Sequence, residues 1–322
     1  MPYDATYHLL WRPDKIREVV CREHPQVVEI HSPYVAAIGG LVLRPGTFGV
    51  RTFVWHSDFI DTYERVLITP RPHWRPLASA LSVPLWEWVR RIARACAATF
   101  CASAWQVRKL EQHGIAAIHL PFGVDKEVFH PRGAPRGHNN APSLVASGRL
   151  AVEKRWDVVI DAFARIAAKR PEARLTIYGD GPERARLEQQ ARISGSRVRF
   201  VGFEQDRVAL GAALASADAL VHGCPYETFG IAVAEAIACG LPVVVPNEGG
   251  AGELARGPTS DFAETYESGN VEACTAAIER LLARDATTLR AGAIGAARSI
   301  LSTREHFERL LAHYERLLLL HA

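Results

Sequence analysis

Residues 219–245 read ALVHGCPYETFGIAVAEAIACGLPVVV. A short apolar run, Ala219–Val221, ends in a loop punctuated by Gly223 and Pro225. From Phe229 to Cys239 the residues are small and apolar at helical spacing, and Gly240 ends them. Pro242–Val245 then opens a second β-branched run. Strand, loop, helix and strand in this order predict two parallel strands joined by a crossover helix.

The same alternation extends outward. Strands are expected at Leu144–Ser147, Arg174–Tyr178 and Arg197–Val201, and helices at Trp156–Lys169, Pro182–Ile193, Val208–Leu214 and Val271–Ala283. Strand and helix repeated with short connections predict an α/β domain whose parallel sheet is covered on both faces. Ligands of such sheets bind at the carboxyl ends of the strands. Further upstream, the strands expected at Val27–Ile30 and Gly49–Trp55 run into His31 and His56. A helix over Trp86–Cys96, a strand at Thr99–Ser103, a helix to His113 and a strand at Ile115–Leu120 follow. Residues 130–143, HPRGAPRGHNNAPS, have no apolar period and read as a linker. The expected division is a first domain over 1–135, a second over 141–303, and an amphipathic helix over 304–320 that returns to the first.

The chain has 322 residues, 48% hydrophobic and 23% charged, which suits two globular domains and argues against disorder. Residues 1–140 carry 17 Lys/Arg against 12 Asp/Glu and six of the seven Trp, so the two halves present different surfaces. A net charge of +3 is too small to argue for nucleic acid. No apolar stretch is long enough for a membrane-spanning helix, and the first residues do not read as a signal peptide. The six Cys are scattered without a C-x-x-C pair, which excludes the usual zinc spacings and suits free thiols in a reducing cytoplasm.

Three segments carry chemistry. In Glu227–Glu235 (ETFGIAVAE) two carboxylates stand eight residues apart, one on the loop and one in the helix. A carboxylate accepts two hydroxyl hydrogen bonds, so the pair suits two vicinal diols flanking a phosphate, the layout of a nucleotide sugar. Gly230 and the first N–H groups of the helix suit an anion. The plain alternative is a pair of salt-bridged glutamates. In Ser147–Lys154 (SGRLAVEK), Arg149 and Lys154 are placed to bracket a diphosphate, or else to line a solvated loop. Tyr178–Pro182 (YGDGP) is not a dinucleotide fingerprint, because Arg184 stands at the third glycine position; it reads as a tight structural turn.

SGRL…EK, IYGDGP, FVGF, ETFGIAVAE and LPVVVPNEGG together resemble the retaining glycosyltransferases of family 4. VVEIHSPY, FVWHSDF and PFGVD resemble the family's first domain more weakly, with Phe122 replacing an Asn in the last. The resemblance implies a GT-B fold, two Rossmann-like domains facing a cleft. It implies that Arg149 and Lys154 bind the donor diphosphate, that Glu227 holds sugar hydroxyls and Glu235 the ribose diol. Phe229 and Gly230 would offer backbone N–H groups, and Phe203 would help seat the base. His56 would face the donor sugar and the acceptor, so His56 and Glu227 are the candidate catalytic residues, with His31 and Asp58 as weaker candidates. The implied reaction moves a hexosyl unit from a nucleotide-diphosphate sugar to a hydroxyl on a glycan or lipid-linked acceptor. The only cofactor-like molecule is that co-substrate. No D-x-D is present, so no metal is required to hold the diphosphate.

The family's opening strand and Gly-rich loop have no counterpart before Val27. A misassigned start, a natural shortening and an inactive remnant are the three explanations. In residues 71–94, Trp74, Trp86 and Trp88 stand among Arg71, Arg75, Arg90, Arg91 and Arg94. That mix suits peripheral contact with an anionic membrane on its cytoplasmic face, or a helix with Trp in the core. Two competing functions stay open: a catalytically impaired nucleotide-sugar-binding module, and a nucleotide-sugar epimerase, against which the ETFG segment speaks.

Overall fold

β-Branched and aromatic residues fit a pleated, half-buried surface, and they mark the strands of this chain. The computed structural model describes residues 12–31, 33–63, 75–132, 141–256 and 260–321. They divide into two units, Met1–Pro121 with Arg304–Ala322, and Phe122–Thr303. Phe122–Arg132, assigned to the first domain on sequence, pack with the second. Most of the expected linker, residues 133–140, lies outside the described residues.

The first unit contains α1 (Pro13–Glu23), β1 (Val27–Ile30), α2 (Val35–Leu41), β2 (Val50–Trp55), α3 (Phe59–Tyr63), α4 (Arg75–Arg94), β3 (Ala98–Cys101), α5 (Ala104–Gln112) and β4 (Ile118–His119). Its strands form a parallel sheet in the order β1-β2-β3-β4. Phe53, Trp55, Trp86, Val89, Ile92 and Leu110 fill one side of the sheet. On the other side Phe100 and Leu120 meet Leu310, Tyr314 and Leu317 of the final helix, Thr303–His321. Ser103 caps α5 by accepting from the Gln106 N–H, which fixes where the chain turns from strand to helix.

The second unit runs β5 (Ser143–Ser147), α6 (Trp156–Lys169), β6 (Arg174–Tyr178), α7 (Arg184–Ile193), β7 (Val198–Gly202), α8 (Arg207–Ser216), β8 (Ala219–Val221), α9 (Ile231–Ala238), β9 (Val243–Pro246), α10 (Gly249–Ala255), β10 (Ala263–Tyr266), α11 (Val271–Ala283) and α12 (Ala286–Ala297). All its strands are parallel, in the order β10-β9-β8-β5-β6-β7. Leu144, Ile160, Phe163, Leu175, Ile177 and Ile278 are sealed between the sheet and its helices. The chain builds outward from β5 to β6 and β7, then returns to place β8 on the other side of β5. The carboxyl ends of β5 and β8 therefore flank a topological switch point, where a doubly wound sheet leaves a crevice for ligands.

Several elements differ from the sequence reading. The strand expected over Ile115–Leu120 shrinks to Ile118–His119, since only those residues pair with β3. The helix expected from Trp86 starts at Arg75 and accommodates Pro84 within it. Trp86 is buried and Trp88 Nε1 donates to the Pro33 carbonyl at 2.5 Å, so these two tryptophans serve the interior of the unit. Trp74 and Arg71 lie outside the described residues. Among the described residues no helix is long and apolar enough to cross a membrane. The polar segment around residues 256–270 holds β10, an edge strand whose Glu264 receives Arg280 and Arg284 from α11 and its end.

Candidate active site

The loops that leave β5 and β8 bring the unusual residues of the second unit together. After β5 the chain passes Gly148 and Arg149, makes a short 3-10 turn at Val152–Lys154, and enters α6 through Arg155, whose φ is 50°. Trp156, buried at the start of α6, donates its indole N–H to the Arg149 carbonyl at 2.7 Å. This bond fastens the half-buried Arg149 at the end of its strand.

The YGDGP turn supports the same loop from the next strand. Gly148 N–H donates to the Tyr178 carbonyl at 2.9 Å and Leu150 N–H to the Asp180 carbonyl at 2.9 Å. Gly179 has φ 148°, and a Cβ there would lie 1.9 Å from the Gly148 carbonyl oxygen. Only glycine allows this approach, so the turn is structural, as its sequence suggested.

After β8 the chain carries His222, Cys224 and Glu227 inward. The Lys154 ammonium donates to Glu227 Oε1 at 2.6 Å, and His222 Nε2 lies 3.2 Å from the same oxygen. The Glu227 carbonyl accepts from the Gly250 N–H at 2.7 Å, which ties the loop to α10. Burial works against the Glu227 carboxylate, but Lys154 and His222 outweigh it and hold its carboxyl well below the usual range. Burial likewise works against the Lys154 ammonium, and Glu227 outweighs it and keeps Lys154 charged. Each charge of the pair therefore sustains the other, and both contacts fall on Oε1, which leaves Oε2 without a protein partner among the described residues.

Glu235 sits eight residues on, buried within α9, where it pairs with Arg207 at the start of α8. Burial pushes its carboxyl up and Arg207 opposes that rise. The Arg207 guanidinium also lies 4.8 Å from the centre of the Phe129 ring. Gly230, with φ 92°, is the N-cap of α9, so the first N–H groups of that helix lack intrahelical acceptors beside Glu227. The Phe229 ring is buried edge-on against Phe122, with centroids 5.7 Å apart. Phe203, just past β7, is 72% exposed.

His222, Cys224 and Glu227 each offer one metal-ligand atom within 4.8 Å of the others. The set does not suit a divalent cation. Its one carboxylate is already paired with an ammonium, and burial pushes the Cys224 thiol up to about 12, so it stays protonated.

In the first unit, His31 and His56 stand at the carboxyl ends of β1 and β2, both exposed, with ring centroids 5.6 Å apart. His31 Nε2 lies 3.1 Å from Glu29 Oε2, and that hydrogen bond raises the His31 pKa above its ordinary value. Partial desolvation of its ring by the surrounding chain, helped by His31, lowers that of His56. Asp58 is buried and paired with Lys109 from α5, and Lys109 lies over the Trp105 ring, which makes Asp58 part of the packing.

The structure thus joins Lys154 to Glu227 and places Glu235 with Arg207, a residue sequence reasoning missed. It also adds His222. The signal for His222 was present: a strand ending in His, the pattern noted at His31 and His56, recurs at Ala219–His222.

Residues 134–299 match the family described as glycosyl transferases group 1, and residues 1–128 match glycosyltransferase family 4. The chain is 33% identical to a GDP-mannose-dependent α-(1-6)-phosphatidylinositol dimannoside mannosyltransferase of Mycobacterium tuberculosis over 252 residues, 76% of this chain and 63% of that protein. It is 31% identical to a GDP-mannose-dependent α-mannosyltransferase of Corynebacterium glutamicum over 72% of this chain and 53% of that protein. The chain thus spans less than two thirds of the length of these relatives. Among solved structures, sucrose-phosphate synthase from Thermosynechococcus elongatus superposes with a TM-score of 0.78 at 20% identity, covering 97% of this chain and 80% of that one.

Proposed function

Since the chain belongs to the family 4 glycosyltransferases and has their GT-B fold of two Rossmann-like parallel-sheet domains, we propose that it transfers a hexosyl unit, with retention, from a nucleotide-diphosphate sugar to a hydroxyl acceptor. The observation that carries this reading is the Lys154–Glu227 pair at the switch point between β5 and β8. It sets a fixed cation and a fixed carboxylate side by side, as a diphosphate linked to a polyhydroxyl ring requires.

The residues take the following roles. Arg149 and Lys154 hold the diphosphate and take up the charge that develops when the glycosidic C–O bond breaks. Glu227 accepts hydroxyl hydrogen bonds of the sugar through Oε2. Phe229 and Gly230 present backbone N–H groups to sugar and phosphate, Glu235 receives the ribose diol, and Phe203 borders the base. His56 is assigned to the acceptor hydroxyl. The acceptor oxygen forms its bond to the anomeric carbon on the face the diphosphate leaves, and its proton ends on that diphosphate. The protein's part is orientation and charge stabilisation. Two cations on the diphosphate make a metal unnecessary, and no cofactor beyond the donor is involved.

The names of the relatives point to GDP-mannose as the donor and a phosphatidylinositol mannoside as the lipid-linked acceptor. Titration calorimetry with GDP-mannose, UDP-glucose and ADP-glucose, followed by transfer of labelled hexose to phosphatidylinositol mannosides, tests both. Binding of one nucleotide sugar and transfer that survives EDTA are expected. Absence of affinity for every nucleotide sugar would sink the proposal.

A further inference from the structure

His222 is 2% exposed, at the end of β8. Its backbone is held from two sides, with N–H donating to the Val244 carbonyl at 2.9 Å and the carbonyl accepting from the Tyr266 hydroxyl at 2.7 Å. The Trp156 ring stands edge-on to the imidazole with centroids 6.2 Å apart. The ring is thus fixed by elements around it and not by its own polar atoms. Among the described residues Nδ1 has no hydrogen-bond partner, and Nε2 faces Glu227 Oε1 at 3.2 Å without one of good geometry. A buried imidazole under those conditions costs more than an apolar side chain would, and the one group it addresses is Glu227.

Lys154 reaches the same oxygen. A single ammonium on a flexible stem leaves a carboxylate free to rotate, whereas a second donor from a rigid ring defines its plane. We propose that His222 is a positioning residue: its imidazole, with a proton on the Nε2 that faces Oε1, works with Lys154 to fix the Glu227 carboxylate so that Oε2 is presented to the donor sugar. The inference rests on the proposed transfer reaction for its kinetic consequence, though not for the tautomer.

His222→Leu removes the donor, and His222→Gln keeps an N–H at the position of Nε2. In His222→Leu, kcat is expected to fall roughly 10-fold or more, the size of one hydrogen bond to a charged group, with KM for the nucleotide sugar and affinity for the free nucleotide little changed. His222→Gln is expected to recover most of that loss. Wild-type kcat in His222→Leu, or equal losses in both variants at equal thermal stability, would overturn the proposal. Should the Leu variant not fold, long-range 1H–15N spectra of the histidines in the wild-type chain decide it. An Nε2–H tautomer whose shift moves in Glu227→Gln is expected. An Nδ1–H tautomer, or a His222 signal indifferent to Glu227→Gln, overturns it. If no nucleotide sugar is turned over by the wild type, the transferase reading fails while these spectra still judge the tautomer.

Discussion

The two units end their sheets in opposite ways. At the carboxyl ends of β5 and β8 the second unit places mutually paired charges, the half-buried Lys154 with the half-buried Glu227 and, further on, the exposed Arg207 with the buried Glu235. At the carboxyl ends of β1 and β2 the first unit places His31 and His56, exposed to solvent. Buried pairs are expensive to assemble and rigid once made, which suits a ligand whose charges always lie in one layout. Exposed imidazoles respond to what arrives. Under the proposed reaction, the difference suits the donor to the second unit and the variable partner to the first.

Breaking the half-buried Lys154–Glu227 pair should have the largest effect. Lys154→Met leaves the Glu227 carboxylate with His222 alone, and transfer is expected to fall about 100- to 1,000-fold. Single-turnover rates with labelled donor measure it, and thermal melts should show lost stability as well, because an uncompensated buried charge remains. Retained transfer would move the chemistry away from the second unit. Next in size, Glu235→Ala should weaken nucleotide binding by roughly 10- to 100-fold, as expected for hydrogen bonds to a charged group. Calorimetry with the nucleoside diphosphate alone isolates this loss from the sugar contacts. Arg207→Ala should act on the same carboxyl in a pH-dependent way. Burial already pushes Glu235 up, and losing its counter-charge lets protonation extend to higher pH, so nucleotide affinity in this variant should drop more steeply as pH falls from 8 to 5.5.

Two glycines of positive φ differ in what a side chain would meet. A Cβ at Gly179 would meet the Gly148 carbonyl at 1.9 Å, so Gly179→Ala should cost about 3 kcal/mol in urea unfolding by moving the β5 loop. Gly46 in the first unit has φ 84° but nothing within 4 Å of a built Cβ, and Gly46→Ala should cost about 1 kcal/mol. Equal costs would mean that the close approach of the Gly148 and Gly179 loops does not govern the loss.

Legibility in the sequence followed apolar contrast rather than the division into units. Trp156–Lys169 and Val271–Ala283 could be read to the residue, because strong apolar periods lie between clear breaks. β10 escaped because an edge strand of Ala, Glu, Thr and Tyr is covered on fewer sides and carries no apolar run. Helix α12 escaped because Ala, Gly and Thr dominate it and leave little amphipathic contrast. At the site, Glu227 and Glu235 were visible through their spacing and Lys154 through its place after a strand. Arg207 was not, and His222, though it ends a strand as His31 and His56 do, carried no sign of whom it meets. His222 and Arg207 approach from β8 and α8, and only the sheet order, which brings β8 beside β5, places His222 against the Lys154–Glu227 pair.

The smallest expected effect lies in the first unit and tests whether its open end takes part at all. The His56 pKa is lowered by partial desolvation of its ring and by the neighbouring His31, which Glu29 raises and so keeps more readily charged. His56 is then neutral through the physiological range, and an imidazole that accepts a hydrogen bond from an acceptor hydroxyl loses that ability only as pH falls below its ordinary value. His31→Ala removes the cation that helps hold His56 down, so the His56 pKa rises and the acid limb of the transfer profile should move to higher pH by a fraction of a unit, with the plateau rate retained. Glu29→Gln acts in the same direction through His31, since an amide no longer favours the charged ring, and its shift should be no larger. A pH–rate profile unchanged in both variants would mean that the histidines of the first unit do not meet the reacting hydroxyl, and the contrast between the units would then be one of packing alone.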